Sequence, residues 1–166
     1  LHRRGYRQAG VGAPLKENLA AALLLRSGWA GRAAEGAAFY DPMCGSGTRV
    51  IEAAMIAAGL APGLLRRRSG LERWLQHDEQ LWRTLRTAAE HSRKLEVLEG
   101  GRCAGSDRDQ TAIRAAIANA NRAGLGNHLL FDRRDLSNLP ATTHATGLVV
   151  VNPPYGVRIG DPEKIE

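Results

Sequence analysis

Apolar positions fall into short unbroken runs and into longer stretches of helical spacing, and the two alternate along the chain. Lys16 to Arg26 (KENLAAALLLR) is rich in Ala and Leu and stops before Ser27-Gly28, which predicts a helix. Ala37-Ala38-Phe39-Tyr40 predicts a short strand running into Asp41. After the loop Pro42 to Thr48, Val50, Ile51, Ala54, Met55 and Ala58 recur at helical spacing until Gly59. Arg102 to Ser106 predicts a second strand that ends at Asp107. Thr111 to Ala123 is expected to be helical, with Ile113, Ala116, Ile117 and Ala120 on one face and Gly124 as its cap. His128 to Phe131 and Leu148 to Val151 complete the set as third and fourth strands. Strands that alternate with helices predict an α/β domain built on a mostly parallel sheet with crossover helices.

Between Pro62-Gly63 and Gly100-Gly101 an insert, about 62–99, breaks this rhythm. Leu71, Trp74, Leu75, Leu81, Trp82, Leu85, Leu95 and Leu98 are scattered there among many charges. The pattern predicts one long helix or a helical pair, its tryptophans packed onto the domain rather than stacked on bases. The organisation is that of a single domain, with a helical region over 1–36 and the sheet core with its insert over 37–166. No internal repeat or low-complexity linker interrupts it.

Composition narrows the classes. At 166 residues the chain is long enough for one core. No apolar stretch reaches the length of a membrane span and nothing at the start resembles a signal peptide, so no membrane partner is expected. Cys44 and Cys103 lie among apolar or glycine-rich neighbours, which suggests reduced thiols in a cytoplasmic protein. The five histidines show no ligand spacing, and no metal is expected. The net charge is +6, with arginines clustered at Arg3, Arg4 and Arg7, at Arg66-Arg67-Arg68 and at Arg133-Arg134. A basic surface suits phosphate backbones through counterion release, although a solvated, arginine-rich surface accounts for the charge equally well.

Two motifs carry chemistry. Gly147-Leu148-Val149-Val150-Val151 runs into Asn152-Pro153-Pro154-Tyr155, placing an amide and an aromatic where open α/β sheets bind ligands. The prolines end the ladder and fix the backbone, so the Asn152 oxygen and the Pro153 carbonyl can accept both hydrogens of an exocyclic base amine while Tyr155 stacks on the ring. A strand halted by a proline turn would give the same four residues.

The second motif is Asp41-Pro42-Met43-Cys44-Gly45-Ser46-Gly47-Thr48, which follows a strand and opens a helix. Gly45 and Gly47 permit a sharp turn and close approach to a ligand, and the helix start offers free amides. The loop has neither the third glycine of a dinucleotide fingerprint nor the Gly-Lys-Ser/Thr of a P-loop. A carboxylate at Asp41 would repel a pyrophosphate but would hold the ammonium or hydroxyls of a cofactor carrying an amino acid. S-adenosylmethionine therefore fits better than NAD or ATP. Asp107, at the second strand's end, is placed to accept from the ribose hydroxyls. Asp109 is better suited to capping the next helix. Asp135 or Asp132, beyond the third strand, would accept from the adenine amine, and the apolar Leu136 beside Asp135 favours the former.

With Asn152-Pro153-Pro154-Tyr155-Gly156, the glycine loop resembles the class I, Rossmann-like amino-methyltransferases. Leu1-His2-Arg3-Arg4-Gly5-Tyr6-Arg7 and Ala13-Pro14-Leu15-Lys16-Glu17-Asn18-Leu19-Ala20 are more closely similar to a bacterial group, the large-subunit (23S) ribosomal RNA guanine-N2 methyltransferases, whose catalytic domain follows an RNA-binding THUMP domain. The resemblance covers nearly the whole chain. It implies that Asp41, Pro42, Gly45, Ser46, Gly47 and Thr48 line S-adenosylmethionine, that Asp107 and Asp135 hold its ribose and adenine, and that Lys16 and Glu17 flank its methionine end. For Lys16 and Glu17, simply starting a helix is an equal alternative. The resemblance also implies that Asn152, Pro153, Pro154 and Tyr155 form the catalytic corner, with ribosomal RNA as partner.

That family's sheet continues beyond the catalytic corner, whereas this sequence stops at Glu166 and opens at Leu1 without Met. The expectation is a piece of a longer protein, without its far strands, with an exposed sheet edge and inactive alone. Adenine-N6 methylation of DNA is the alternative activity, because the Asn-Pro-Pro-Tyr grip suits both amines. A non-catalytic nucleic-acid-binding module on the same fold is the second alternative.

Overall fold

The computed structural model describes residues 4–7, 15–66, 69–139, 141 and 143–153. Helices α1 (Glu17–Arg26) and α2 (Trp29–Ala34) precede strand β1 (Ala38–Asp41). Helix α3 (Thr48–Ala57) follows the glycine loop, and α4 (Glu79–His91) lies in the insert. Strand β2 (Cys103–Asp107), helix α5 (Gln110–Arg122), strand β3 (Leu130–Arg133) and strand β4 (Gly147–Val149) complete the order. The four strands form one sheet in the order β3-β2-β1-β4, every pair parallel.

Local chemistry explains the elements. Asp109 caps α5 by accepting from the Thr111 N–H at 2.7 Å, satisfying one of the amides that a helix start leaves unpaired. On α1, Glu17, Ala20 and Leu24 form the buried stripe, one residue per turn, while Leu19, Leu23 and Leu25 face outward. Helix α3 is buried from Thr48 through Met55, because α1, α2 and the sheet all pack on it. Trp29 anchors this layer. Its ring meets Phe39 of β1 at a centroid distance of 5.4 Å, and its indole N–H donates to the Ala53 carbonyl at 2.8 Å.

The strand boundaries differ from expectation in instructive ways. The third strand begins at Leu130 rather than His128, since Gly126–His128 is spent on a helical turn. The fourth ends at Val149 rather than Val151, and among the described residues one further bond, from Val150 N–H to the Tyr40 carbonyl at 3.2 Å, extends it. Only on its β1 side does β4 have a paired strand among the described residues.

The insert corrects a prediction. Instead of one long helix or a helical pair, it holds a helical turn at Gly70–Arg73, the single helix α4, and a kinked turn at Leu95–Gly101. Trp74 is 60% exposed rather than packed on the domain, and Leu71, Leu75, Leu81 and Leu85 are exposed with it. Trp82 is half-buried and meets His77 edge-on at 6.3 Å. Among the described residues the insert meets the core at its two ends, through Leu65 near its start and through Leu98, with Leu95 and Val97 beside it, at its far end. The apolar stripe of α4 finds no opposing surface among the described residues, so periodicity alone overstated its packing.

Candidate functional site

The chain proceeds from β1 outward through β2 and β3, then returns to place β4 on the other side of β1. The carboxyl ends of β1 and β4 thus flank the switch point where open parallel sheets form a ligand crevice. From β1 springs the loop 42–47, and three residues beyond the end of β4 stands Asn152, which is exposed, as is Pro153. Pro154 and Tyr155 lie outside the described residues.

The loop is held at each step. The Cys44 N–H donates to the Ser106 carbonyl at 2.9 Å, tying the loop to β2, and the Gly47 N–H turns back to the Cys44 carbonyl at 2.9 Å. Gly45 and Gly47 take φ of +55° and +80°, a left-handed geometry that other residues adopt only with strain. At Gly47 a side chain has no room, since a Cβ would stand 2.9 Å from Ala116 Cβ and 3.1 Å from the Phe131 ring. At Gly45 the opposite holds, with nothing within 4 Å of that position. The loop is therefore packed on one side and open on the other, and the open side adjoins the start of α3, which has no side-chain cap.

Asp107 closes this opening from the β2 side. One carboxylate oxygen accepts from the Gly45 N–H at 2.9 Å and the other from the Asp109 N–H at 3.0 Å. A carboxylate has about four acceptor positions, so each oxygen retains one for a ligand hydroxyl. Asp135 is exposed and caps the turn Leu136–Asn138. Its Oδ1 accepts from the Ser137 N–H at 3.0 Å and hydroxyl at 2.8 Å, and these bonds lower its pKa. Its Oδ2 has no hydrogen-bond donor among the described residues. Asp132 is engaged by Arg134 at 3.3 Å.

Asp41 has a different setting from the one its place before the glycines suggested. It is fully buried, with Oδ2 at 2.7 Å from the Arg49 guanidinium and Oδ1 accepting from the Met43 N–H at 3.1 Å. Arg49 also donates to the Met43 carbonyl at 3.1 Å, so the pair fixes the first turn of the loop. Burial raises the Asp41 carboxyl to about 6, against the opposing pull of Arg49. Pro42, Ser46 and Thr48 are buried within the same loop. Cys44 is buried too, and its thiol pKa is pushed well up by desolvation, while Cys103 reaches about 12 for the same reason.

Lys16 is exposed at the start of α1, and Glu17 is buried with Arg7 at 3.6 Å. The described opening arginines, Arg4 and Arg7, bind groups within the protein. Arg4 is 8% exposed and makes a buried ion pair with Glu52 at 3.0 Å, while the Tyr6 hydroxyl donates to the same carboxylate at 3.0 Å. Arg3, Arg67 and Arg68 lie outside the described residues.

Sequence reasoning passed over Arg49, Glu52, Asn119 and Arg122. The first two had a readable signal, as charged residues inside an otherwise apolar helix directly after the glycine loop. Asn119 and Arg122 had none, since Ser46 and Tyr6, which they bind, are remote in the chain.

The fold and loop together define the Rossmann-like class of cofactor-binding α/β domains. A family model described as RMKL-like, methyltransferase domain matches residues 4–166, and the chain belongs to that family. It is 53% identical to a ribosomal RNA large subunit methyltransferase K/L of Allochromatium vinosum, over 99% of this chain and 23% of that protein. A protein of the same description from Syntrophotalea carbinolica is also 53% identical, over 99% of this chain and 24% of the relative. The chain thus spans about a quarter of the length of these curated relatives. Among solved structures, a predicted N6-adenine-specific DNA methylase from Listeria monocytogenes superposes with a TM-score of 0.82 at 40% identity, over 98% of this chain and 40% of that one. The structure of SMU.472 complexed with SAH superposes equally well, with a TM-score of 0.82 at 36% identity and the same coverage.

Proposed function

We propose that this chain is the S-adenosylmethionine-binding and catalytic part of a methyltransferase that modifies the N2 amine of a guanine in 23S ribosomal RNA. The observation that carries the reading is the strand order, which sets the glycine loop, open beside Gly45 and held by Asp107, after β1 and the Asn152-Pro153 corner after the neighbouring strand β4. Two relatives at 53% identity are described as ribosomal RNA large subunit methyltransferases, and a superposable structure is described as complexed with SAH.

When bound, S-adenosylmethionine supplies an electrophilic methyl group on a sulfonium. Asp107 would hold the ribose hydroxyls with its remaining acceptor positions, and Asp135 would accept from the adenine amine. Gly45, Ser46, Gly47 and Thr48 form the wall along the methionine part. Asp41 and Arg49 act through the loop, as positioning residues rather than ligands, because both Asp41 oxygens are already engaged. The guanine amine is a weak nucleophile, its lone pair delocalised into the ring. Asn152 Oδ1 and the Pro153 carbonyl would accept hydrogen bonds from its two N–H groups, favour a pyramidal nitrogen and aim it at the methyl, so that orientation supplies much of the rate, and the proton the amine sheds on methylation would pass to water. A base within a helix must first be flipped out, at a cost of a few kcal/mol. Stacking on Tyr155 offsets about 1–3 kcal/mol of that. An RNA substrate implies the cytoplasm, and we assign RNA docking mainly to the length that the relatives have beyond the matched part.

Adenine-N6 methylation of DNA is the second reading, favoured by the description of the Listeria structure. The test is methyl transfer by the protein expressed from its complete reading frame, with labelled cofactor and with unmodified ribosomal RNA or duplex DNA. N2-methylguanosine from RNA supports the first reading, N6-methyladenine from DNA replaces it with the second, and label in neither contradicts both.

A further inference from the structure

A chain of hydrogen bonds leaves the back of the glycine loop and ends on the first described segment of the protein. Asn119, fully buried on α5 one turn beyond Ala116, donates from Nδ2 to the Ser46 carbonyl at 3.0 Å. Its Oδ1 accepts from Arg122 Nη1 at 2.8 Å, and the same guanidinium nitrogen donates to the Tyr6 carbonyl at 3.3 Å. The amide orientation is forced. A guanidinium only donates, so Oδ1 faces Arg122 and Nδ2 is left for the carbonyl. The far end is anchored as well, because Arg4 and the Tyr6 hydroxyl both bind the buried Glu52 carboxylate of α3. Arg7 extends the anchor to the Leu15 carbonyl at 2.6 Å and to Glu17.

The consequence concerns one peptide unit. The Ser46–Gly47 peptide is gripped at both ends, its carbonyl by Asn119 and its N–H by the Cys44 carbonyl. Gly47 on one side and Gly45 one residue before it have backbone freedom that would otherwise let this unit rotate. Rotation would swing a carbonyl toward the open side of the loop beside Gly45. Asn119 therefore selects one of the loop's shapes, and Arg122 joins Asn119 to the Tyr6 carbonyl.

We propose that Asn119, with Arg122, is a positioning residue that couples the docking of the Arg4–Arg7 segment to the shape of the cofactor loop. The proposal rests on the reading of loop 42–47 as the cofactor's seat. Coupling between sites is reciprocal, so seating the segment tightens cofactor binding and cofactor binding protects the segment.

The test uses S-adenosylmethionine titrations and amide hydrogen exchange on the complete protein. Asn119→Asp keeps the acceptor for Arg122 and even adds charge attraction, but it cannot donate to Ser46 and sets a carboxylate against that carbonyl. Cofactor affinity is expected to fall about tenfold, the loss from removing one buried hydrogen bond, while the protein stays folded. Arg122→Met is expected to weaken binding about threefold or more and to abolish the cofactor-induced slowing of exchange over residues 4–7. Wild-type affinity in folded Asn119→Asp, or unchanged protection of residues 4–7 in Arg122→Met, overturns the proposal. Should Asn119→Asp fail to fold, the exposed Arg122 decides the matter alone through the same two readouts. Asp107→Ala separates the two levels of inference. If it binds cofactor normally, the seat itself is misassigned. If it loses binding while the other two variants do not, only the coupling fails.

Discussion

Arg49 reaches back eight residues to place its guanidinium 2.7 Å from Asp41 Oδ2, and this contact is sealed from water on both sides. Neither partner tolerates the loss of the other in such a setting, because an uncompensated buried charge remains. Arg49→Met is expected to destabilise the protein by about 3–5 kcal/mol at pH 8, measured by denaturant unfolding. Protonation of Asp41 relieves that penalty, so the loss should shrink markedly at pH 5. Asp41→Asn combined with Arg49→Met should recover most of it at every pH. An equal loss at pH 5 and pH 8 contradicts the arrangement.

The same carboxyl gives the wild-type protein a pH dependence of known sign. Its pKa is raised in the folded state from 3.8 to about 6, so the native protein holds that proton more tightly than the unfolded chain. The stability from this group is full below its unfolded pKa and is lost as the pH climbs from about 4 to about 6. Unfolding free energies of wild type and Asp41→Asn should therefore diverge across that window and run parallel above it. A constant difference from pH 4 to pH 8 rules this out.

Two glycines of one loop should respond differently to the same substitution. Gly47→Ala combines a left-handed backbone cost of about 1–2 kcal/mol with overlap against Ala116 and Phe131 worth about 1–3 kcal/mol, so it damages stability. Gly45→Ala carries the backbone cost of about 1–2 kcal/mol alone, because its Cβ enters open space. That space is the proposed cofactor seat, and Gly45→Ala should weaken cofactor binding beyond what its stability loss explains. Comparable stability losses in the two variants would show that the loop's two sides are not as different as the structure has them.

Exposure divides the tryptophans. Trp29→Ala removes a fully buried ring that contacts Phe39 and Ala53, and it should cost about 3–5 kcal/mol. Trp74→Ser, at a ring 60% exposed, should change stability by less than about 0.5 kcal/mol. A large loss at Trp74 would mean that the insert is held down by contacts beyond the described residues.

The parallel sheet and the loop were legible because short apolar runs, an acid at a strand end and paired glycines are local signals. Asp107 was legible for the same reason, and the structure places it against the loop amide at 2.9 Å. The rest depends on contacts that periodicity does not encode. Arg4 and Tyr6 find Glu52 across separations of 48 and 46 residues, and Arg122 finds Tyr6 across 116. In the sequence the first of these arginines is indistinguishable from a surface charge. The insert shows the converse error, since the stripe of Leu81 and Leu85 on α4 was visible but nothing local tells what lies opposite.

The most direct measurement is turnover of Asn152→Ala in the protein expressed from its complete reading frame, with methyl transfer to ribosomal RNA and cofactor affinity measured on the same preparation. Loss of one preorganised polar group predicts a rate about a hundredfold lower, with affinity for S-adenosylmethionine close to that of wild type. Unchanged turnover in Asn152→Ala would contradict the account, because the transfer would then not depend on the Asn152 amide.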